Sequence, residues 1–501
     1  MMLAQVPTQR PPLVLPHVEY SAMLPFLIMI GGALALLTVV SLLHRRPPQG
    51  VYTLFTVAVT GASMVAAWNR WLFVRHHGAY QAVARAIVVD GFSQFFLITL
   101  GAAVILGALV ADGYLQREGL EGPEFYVLMM LSASGGMVMA MANDLIVLFL
   151  GLEILSIALY VLAGYHRSHE ASREAAMKYF VLGAFSSALF LYGIALVYGA
   201  TGSTNLPDIA TYLATNVATG NGVFLAGVML LLVGLGFKVA AVPFHSWTPD
   251  VYQGSPTPAT SFMAGAAKAA GFAGLLRVFF STFRVASLDW RPVVWVLAVL
   301  TLLVGSVLAI AQSDIKRMLA YSSISHAGYV LIGLEAASRR GIAGSLFYLL
   351  AYTFMVAGSF AVVTLVGRQG DDTHALEAYR GLRYRRPWLA VAFTVFLMAQ
   401  AGIPFTTGFF AKFYVIRAAV ESHSYALALI GMLAAVIAAF FYLRVITLMF
   451  TPPAEGDEAM APIALPASAS IAIGITVAFT LAFGILPSAM IHFAEKATLL
   501  F

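Results

Sequence analysis

The chain has 501 residues, 60% of them hydrophobic and 10% charged, with a mean hydropathy of +0.87. Soluble domains carry roughly 25% charged residues, so composition excludes a soluble globular protein and requires an integral membrane protein. A formal net charge of +5 with no long basic block argues against a nucleic-acid partner, and the absence of cysteine excludes disulfides and thiolate-ligated iron–sulfur clusters in this chain.

Apolar runs of about 20 residues recur along the whole sequence, enough at about 1.5 Å per residue to cross a hydrocarbon core of about 30 Å. Barrel strands alternate polar and apolar residues over shorter segments, so the expected fold class is an all-α polytopic membrane protein. About fourteen transmembrane helices are predicted, at residues 21–43, 51–68, 86–111, 124–142, 145–165, 175–199, 222–247, 259–284, 293–312, 318–336, 341–366, 389–418, 425–450 and 464–487. The first run is too long for a signal-peptide core and reads as a retained span. The close pairs around 142–145 and 312–318 need tight connections.

The spans divide into an N-terminal three-span segment (1–123), two blocks of five (124–284 and 293–450) and a C-terminal span (451–501). The fourth span of each block is interrupted. Span seven has Lys238 five residues before Pro243, and span twelve has Gly402-Ile403-Pro404 eight residues before Lys412. Two units of five spans insert with opposite topology, and paired breaks in inverted repeats point to a transport site, because a broken helix leaves backbone groups and dipole ends beside a cavity. The plainer alternative is that proline simply kinks membrane helices. The arginine-rich loop after span eleven (Arg368, Arg380, Arg383, Arg385, Arg386) is expected on the cytoplasmic side, which puts both termini outside. Arg70, Arg75, Arg339 and Arg340 then fall outside, against the same rule.

Charges inside the spans carry the chemistry. Glu153 stands near the middle of span five, where a carboxylate costs about 3 kcal/mol and needs a partner, a cavity or a proton. Lys268 lies deep in span eight between small residues that allow close helix approach. Lys238 and Lys412 stand beside the two breaks. Lys178 and Asp90 lie near span starts and read equally as interfacial or functional residues, while snorkelling is the default for Arg277 and Arg444 toward span ends. His245 and His326 are core hydrogen-bonding groups or relay members. Taking an amine out of water disfavours its charged form, and a carboxylate moving toward it restores that form. A Glu153–Lys238 pair that forms and separates would therefore load and unload a proton, with Lys268, His326 and Lys412 continuing through internal water. The histidines are not at helical ligand spacing with carboxylates, so no metal site is expected, and there is no phosphate-binding Gly-rich loop ending in Lys-Ser or Lys-Thr. A scaffold whose buried charges only fix helix packing is the structural alternative.

The stretch KVAAVPFHSWTPDVYQGSPTPATSFMAGAAKAAGFAGLLR, residues 238–277, resembles the central signature of the antiporter-like membrane subunits of respiratory complex I. That family is also represented in multisubunit cation/proton antiporters and membrane-bound hydrogenases. The wording WTPDVYQGSPTP, with EAAMKYFVLGAFSSALFLYGIALVYGATG before it and SDIKRMLAYSSISHAGYVLIGL after it, is similar to the N type rather than the L and M types.

The resemblance implies a proton-translocating subunit of an NADH:quinone oxidoreductase in a bacterial inner (plasma) membrane. It implies that neighbouring antiporter-like subunits and lipid contact the chain, that NADH and quinone bind elsewhere in the complex, and that FMN and iron–sulfur clusters belong to partner subunits. For residues, it implies Glu153 paired with Lys238, Lys268 linking two half-channels, Lys412 toward the exit side and Lys178 as an additional span-six lysine. His245 and His326 fall on motif positions.

Overall fold

A computed structural model of the chain describes residues 18–216, 222–367, 369–371, 374–453, 463–497 and 499. Among the described residues, eleven helices are long and apolar enough to cross a membrane: Tyr20–Leu42, Gln49–His77, Gly91–Arg117, Glu124–Met141, Leu145–Ala163, Glu170–Thr201, Thr257–Thr282, Ser287–Ile310, Arg339–Val366, Tyr425–Phe450 and Ala467–Ile485. The polytopic helical class read from composition is the one observed. A further helix, Ile315–Glu335, is more polar and is buried along nearly its whole length.

Predicted spans seven and twelve are each two helices. Gly222–Lys238 is followed by Trp247–Gly254, and Pro387–Ala401 by Thr407–Glu421. The first chain break comes directly after Lys238, ahead of Pro243.

The N-terminal third departs from the predicted boundaries. The second helix runs on to His77 because Arg75, His76 and His77 lie in its last turn, where cations meet the negative end of the helix dipole. The third starts at Gly91, since Tyr80–Ala82 and Ile87–Val89 form an antiparallel hairpin. Asp90 closes that hairpin and caps the helix, its side chain accepting from Ser93 N at 2.8 Å while its own N–H donates to Ser93 Oγ at 3.1 Å. The short amphipathic helices Leu206–Thr215 and Ser488–Lys496 fell below the length that the span pattern detects.

Position in the bundle sorts the helices. Thr257–Thr282 is buried across its whole apolar window and Arg339–Val366 across 94% of it, whereas Tyr20–Leu42 and Ala467–Ile485 are only 33% buried. The inner helices therefore face protein, which is the setting a buried charge requires. The tight connections are made by capping aspartates: Asp144 accepts from Ile146 N at 2.8 Å, and Asp314 from Arg317 N at 2.9 Å.

Candidate functional site

Lys238 is the last residue of its half-helix and is 4% exposed. A helix end leaves carbonyls and N–H groups without partners, and inside a membrane these must be satisfied by protein. Here the Trp247 indole donates to the Phe237 carbonyl at 3.0 Å and Val242 N donates to Thr301 Oγ1 at 2.9 Å. The amine donates to Ser156 Oγ at 2.8 Å and to Tyr179 Oη at 3.1 Å. Beside it lies a cavity of about 10 Å³ lined by Ser156, Tyr160, Ser186, Ser187 and Lys238 among others, close to the least that admits one water molecule.

Glu153 is partly buried one turn before Ser156, and its Oε1 is buried without a hydrogen-bond partner. Glu153 and Lys238 do not form an ion pair within 4.0 Å; the amine rests on the two hydroxyls instead. The expected pair is thus in a separated arrangement.

Lys268, 4% exposed, follows a π-helical turn at Met263–Ala267 that interrupts the regular hydrogen-bond ladder. Its amine donates to the Ser323 carbonyl and stands 5.4 Å from the centre of the Tyr352 ring. The helix that carries Lys268 packs directly on Lys238: a Cβ built on Gly271, three residues beyond Lys268, would lie 3.3 Å from Lys238 Cγ. Gly271 lets the two helices approach to this distance.

His326 is held between two phenols, with Nδ1 2.6 Å from Tyr348 Oη and Nε2 3.2 Å from Tyr442 Oη. Its ring centre is 4.8 Å from that of Tyr352 and 6.4 Å from that of Tyr329. Lys412, 6% exposed, lies 4.8 Å above the Tyr329 ring and donates to the Ala401 carbonyl at 2.8 Å. That carbonyl belongs to the last turn of the first half-helix at the second break, where the backbone dipole presents negative charge. Gly402, at φ +89°, caps this end in a left-handed conformation that a side chain would strain. The Tyr352 ring thus neighbours both Lys268 and His326, and the Tyr329 ring both His326 and Lys412.

Two predicted residues stand apart. Lys178 is 42% exposed, paired with Asp250 and Glu174 at 2.7 Å each, and Asp250 in turn accepts from Arg317 at 2.6 Å. His245 lies in the first break, partly buried, with Nδ1 unpartnered. The snorkelling expected of Arg277 is overturned. Its guanidinium is 3% exposed, grips Asp90 through two bonds of 2.9 and 3.0 Å, and donates twice to the Ala140 carbonyl. Arg444 reaches the Ile310 carbonyl at 3.2 Å from an exposed position, as a residue at a span end does.

Sequence reasoning missed the partners Ser156, Tyr179, Ser323, Tyr348 and Tyr442, uncharged residues that nothing in the span pattern singles out. It also missed a buried cluster in the loop after Arg339–Val366. There Asp371 accepts from Thr257 N, Thr257 Oγ1 and Tyr114 Oη, with Lys316 at 3.6 Å and His374 at 3.1 Å. Burial pushes this carboxyl up, but the Lys316 charge and the His374 and Thr257 contacts outweigh it and hold it well below the usual carboxylate range. Arg368, in the same loop, lies outside the described residues. Among the described residues, no group of three or more His, Cys, Asp or Glu is placed to hold a metal ion.

The chain is similar to known proteins over most of its length. The family described as NADH:quinone oxidoreductase/Mrp antiporter, TM matches residues 142–438. NADH-quinone oxidoreductase subunit N of Trichlorobacter lovleyi is 42% identical over 480 residues, covering 96% of this chain and 97% of that protein. The corresponding subunit of Mycobacterium bovis is 41% identical over 528 residues, covering 96% and 98%. A chain of respiratory complex I from Thermus thermophilus superposes with a TM-score of 0.78 at 33% identity, covering 93% of this chain and 98% of that one. A chain of the Mrp complex from Dietzia sp. DQ12-45-1b superposes with a TM-score of 0.82 at 20% identity, covering 96% and 97%, a likeness of fold alone. The chain belongs to the NADH-quinone oxidoreductase subunit N family, the antiporter-like membrane subunits of respiratory complex I.

Proposed function

We propose that this chain moves protons through the membrane arm of a bacterial NADH-quinone oxidoreductase, in the plasma membrane and in contact with the other membrane subunits. Electrons pass from NADH through FMN and iron–sulfur clusters to quinone in partner subunits; this chain supplies a proton path. The observation that carries the reading is the buried succession Lys238, Lys268, His326 and Lys412, which joins the two helix breaks.

Glu153 and Lys238 form the switch. An approaching carboxylate holds the proton on the amine, and a departing one lets it go toward Lys268. The separated geometry, with Lys238 on Ser156 and Tyr179, is the release arrangement. Conformational and electrostatic changes arriving along the membrane arm would alternate the two.

The same reading takes the chain as fourteen spans with two inverted five-helix repeats, at 124–284 and 293–450. Backbone pairing supports it. Leu145 N donates to the Thr204 carbonyl and Leu206 N to that of Asn143; 170 residues later Ile315 N donates to His374 and Leu376 N to Ser313. Close helix contacts recur at the same shift, with Gly135 against Leu155 N and Gly305 against Ser325 N. A shift of five spans reverses direction in the membrane. The arginine-bearing loop at 380–386 is assigned to the cytoplasmic side by its charge.

A cation/proton antiporter or membrane-bound hydrogenase subunit is the competing reading, because the fold is shared at 20% identity with the Mrp complex. Tagging the chain at its native locus, extracting the membrane gently and running a native gel decides between them. Co-migration with NADH dehydrogenase activity is expected. A separate particle without that activity, with sodium-dependent proton exchange in vesicles, would support the antiporter.

A further inference from the structure

Gln400 has no part in the relay described above, yet its amide is 1% exposed in the apolar run FLMAQAG, one residue before the carbonyl that holds Lys412. A buried amide persists only with its hydrogen bonds made. Gln400 Nε2 donates to Ser359 Oγ at 2.7 Å, and Oε1 accepts from Ser322 Oγ at 3.3 Å.

The direction of these bonds follows from Ser359. Its hydroxyl proton goes to the Met355 carbonyl at 2.9 Å, which can only accept, so the Gln400 atom facing Ser359 must donate. Ser322 then gives its single proton to Gln400 Oε1, and its oxygen accepts from the Tyr442 hydroxyl. The Tyr442 oxygen accepts from His326 Nε2–H at 3.2 Å, and His326 Nδ1 accepts from the Tyr348 hydroxyl at 2.6 Å. Half a turn of the amide, with the Ser359 hydroxyl turned from the Met355 carbonyl to Oε1, reverses every bond in this chain from Ser359 to Tyr348.

We infer that Gln400 is a positioning residue that selects the tautomer of His326, holding the neutral ring as Nε2–H with its Nδ1 lone pair toward Tyr348, and thereby decides which ring nitrogen is open to the next proton. The inference rests on the reading of His326 as a relay member. It also ties His326 to the second break, since the amide that orients His326 sits beside the carbonyl that holds Lys412. The rotated amide fits the other tautomer, with Nδ1–H toward Tyr348 and the Nε2 lone pair toward Tyr442.

The test is a variant series in the assembled complex. Nitrogen-15 spectra of histidine-labelled complex, with His326 assigned by difference from His326→Gln, read the tautomer. Proton translocation per NADH oxidised reads coupling. Wild type is expected to show the Nε2–H form, and Gln400→Leu, a swap of similar volume, a mixture of tautomers with a loss of translocation. Tyr442→Phe breaks the same chain, so the double variant should translocate no worse than Tyr442→Phe alone. An unchanged tautomer in Gln400→Leu, or additive losses in the double variant, would overturn the assignment. If Gln400→Leu fails to assemble, Ser359→Ala frees the amide and is expected to give the same mixture; a single Nε2–H form there would also overturn it. Lys268→Met separates the two claims. Normal translocation in that variant refutes the relay, whereas lost translocation with an unchanged tautomer in Gln400→Leu refutes only the role of Gln400.

Discussion

Lys238 and Lys412 stand at the two helix breaks, but they are held by different chemistry. Lys238 donates to two side-chain hydroxyls, with an acidic residue one turn away on the same helix as Ser156. Lys412 donates to a backbone carbonyl at the end of a half-helix, and no acidic side chain among the described residues lies within 4.0 Å of it. A side-chain acceptor and a carboxylate can move by changing rotamer, whereas a carbonyl fixed in a helix end cannot. Under the proposed function, the first break is the one that switches and the second holds a site of constant polarity.

The largest effect expected is from removing either amine. Lys238→Met and Lys412→Met in assembled complex should each abolish proton flow through this chain, measured as protons moved per NADH oxidised in vesicles. If one of them pumps normally, its break is structural only. Glu153→Gln should impair flow less than Lys238→Met, because Ser156 and Tyr179 still receive the amine. No counterpart at the second break should behave this way, and equal losses from both variants would remove the distinction between a switch and a holder.

Asp90→Asn tests a charge outside the path. Leaving Arg277 buried beside a neutral partner should cost about 3–5 kcal/mol of stability without altering coupling in the complex that assembles. A coupling defect with unchanged thermal stability would place the pair in the path. Asp371 predicts a pH effect of definite sign. Its carboxyl is depressed in the folded chain, so the stability it contributes is present above the ordinary carboxylate value of about 3.9 and is lost as pH falls through the lower folded value. Thermal unfolding of solubilised complex should fall off more steeply below about pH 4 in wild type than in Asp371→Asn; parallel curves would contradict this. The smallest effect is expected from Lys178→Met, since partly exposed ion pairs contribute about 0.2–1 kcal/mol. Loss of pumping as complete as in Lys238→Met would place Lys178 in the path.

Much of this was legible in the sequence because the membrane imposes a coarse, strong pattern. Helical class, the long spans and both breaks follow from run length and from Pro243, Gly402 and Pro404. Glu153, Lys238, Lys268 and Lys412 announce themselves because charge is rare in such runs. What escaped notice is of the opposite kind. A serine or tyrosine in an apolar helix has no distinguishing periodicity, so Ser156, Tyr179 and Tyr442 became partners only once distant helices met. Arg277 looked like a residue at a span end because its partner Asp90 is 187 positions away. The second strand of the hairpin, Ile87–Val89, was absorbed into the span predicted at 86–111 because three apolar strand residues extend an apolar run without a seam.

The most direct test of the account is proton translocation by assembled complex carrying Lys238→Ala and Lys268→Ala together. NADH oxidation and native-gel migration establish that the complex is intact, and a pH-sensitive dye in vesicles reports protons moved per NADH. The account predicts an intact complex whose proton yield falls below that of wild type. An unchanged yield from a normally assembled double variant would contradict it and leave the buried charges as elements of helix packing.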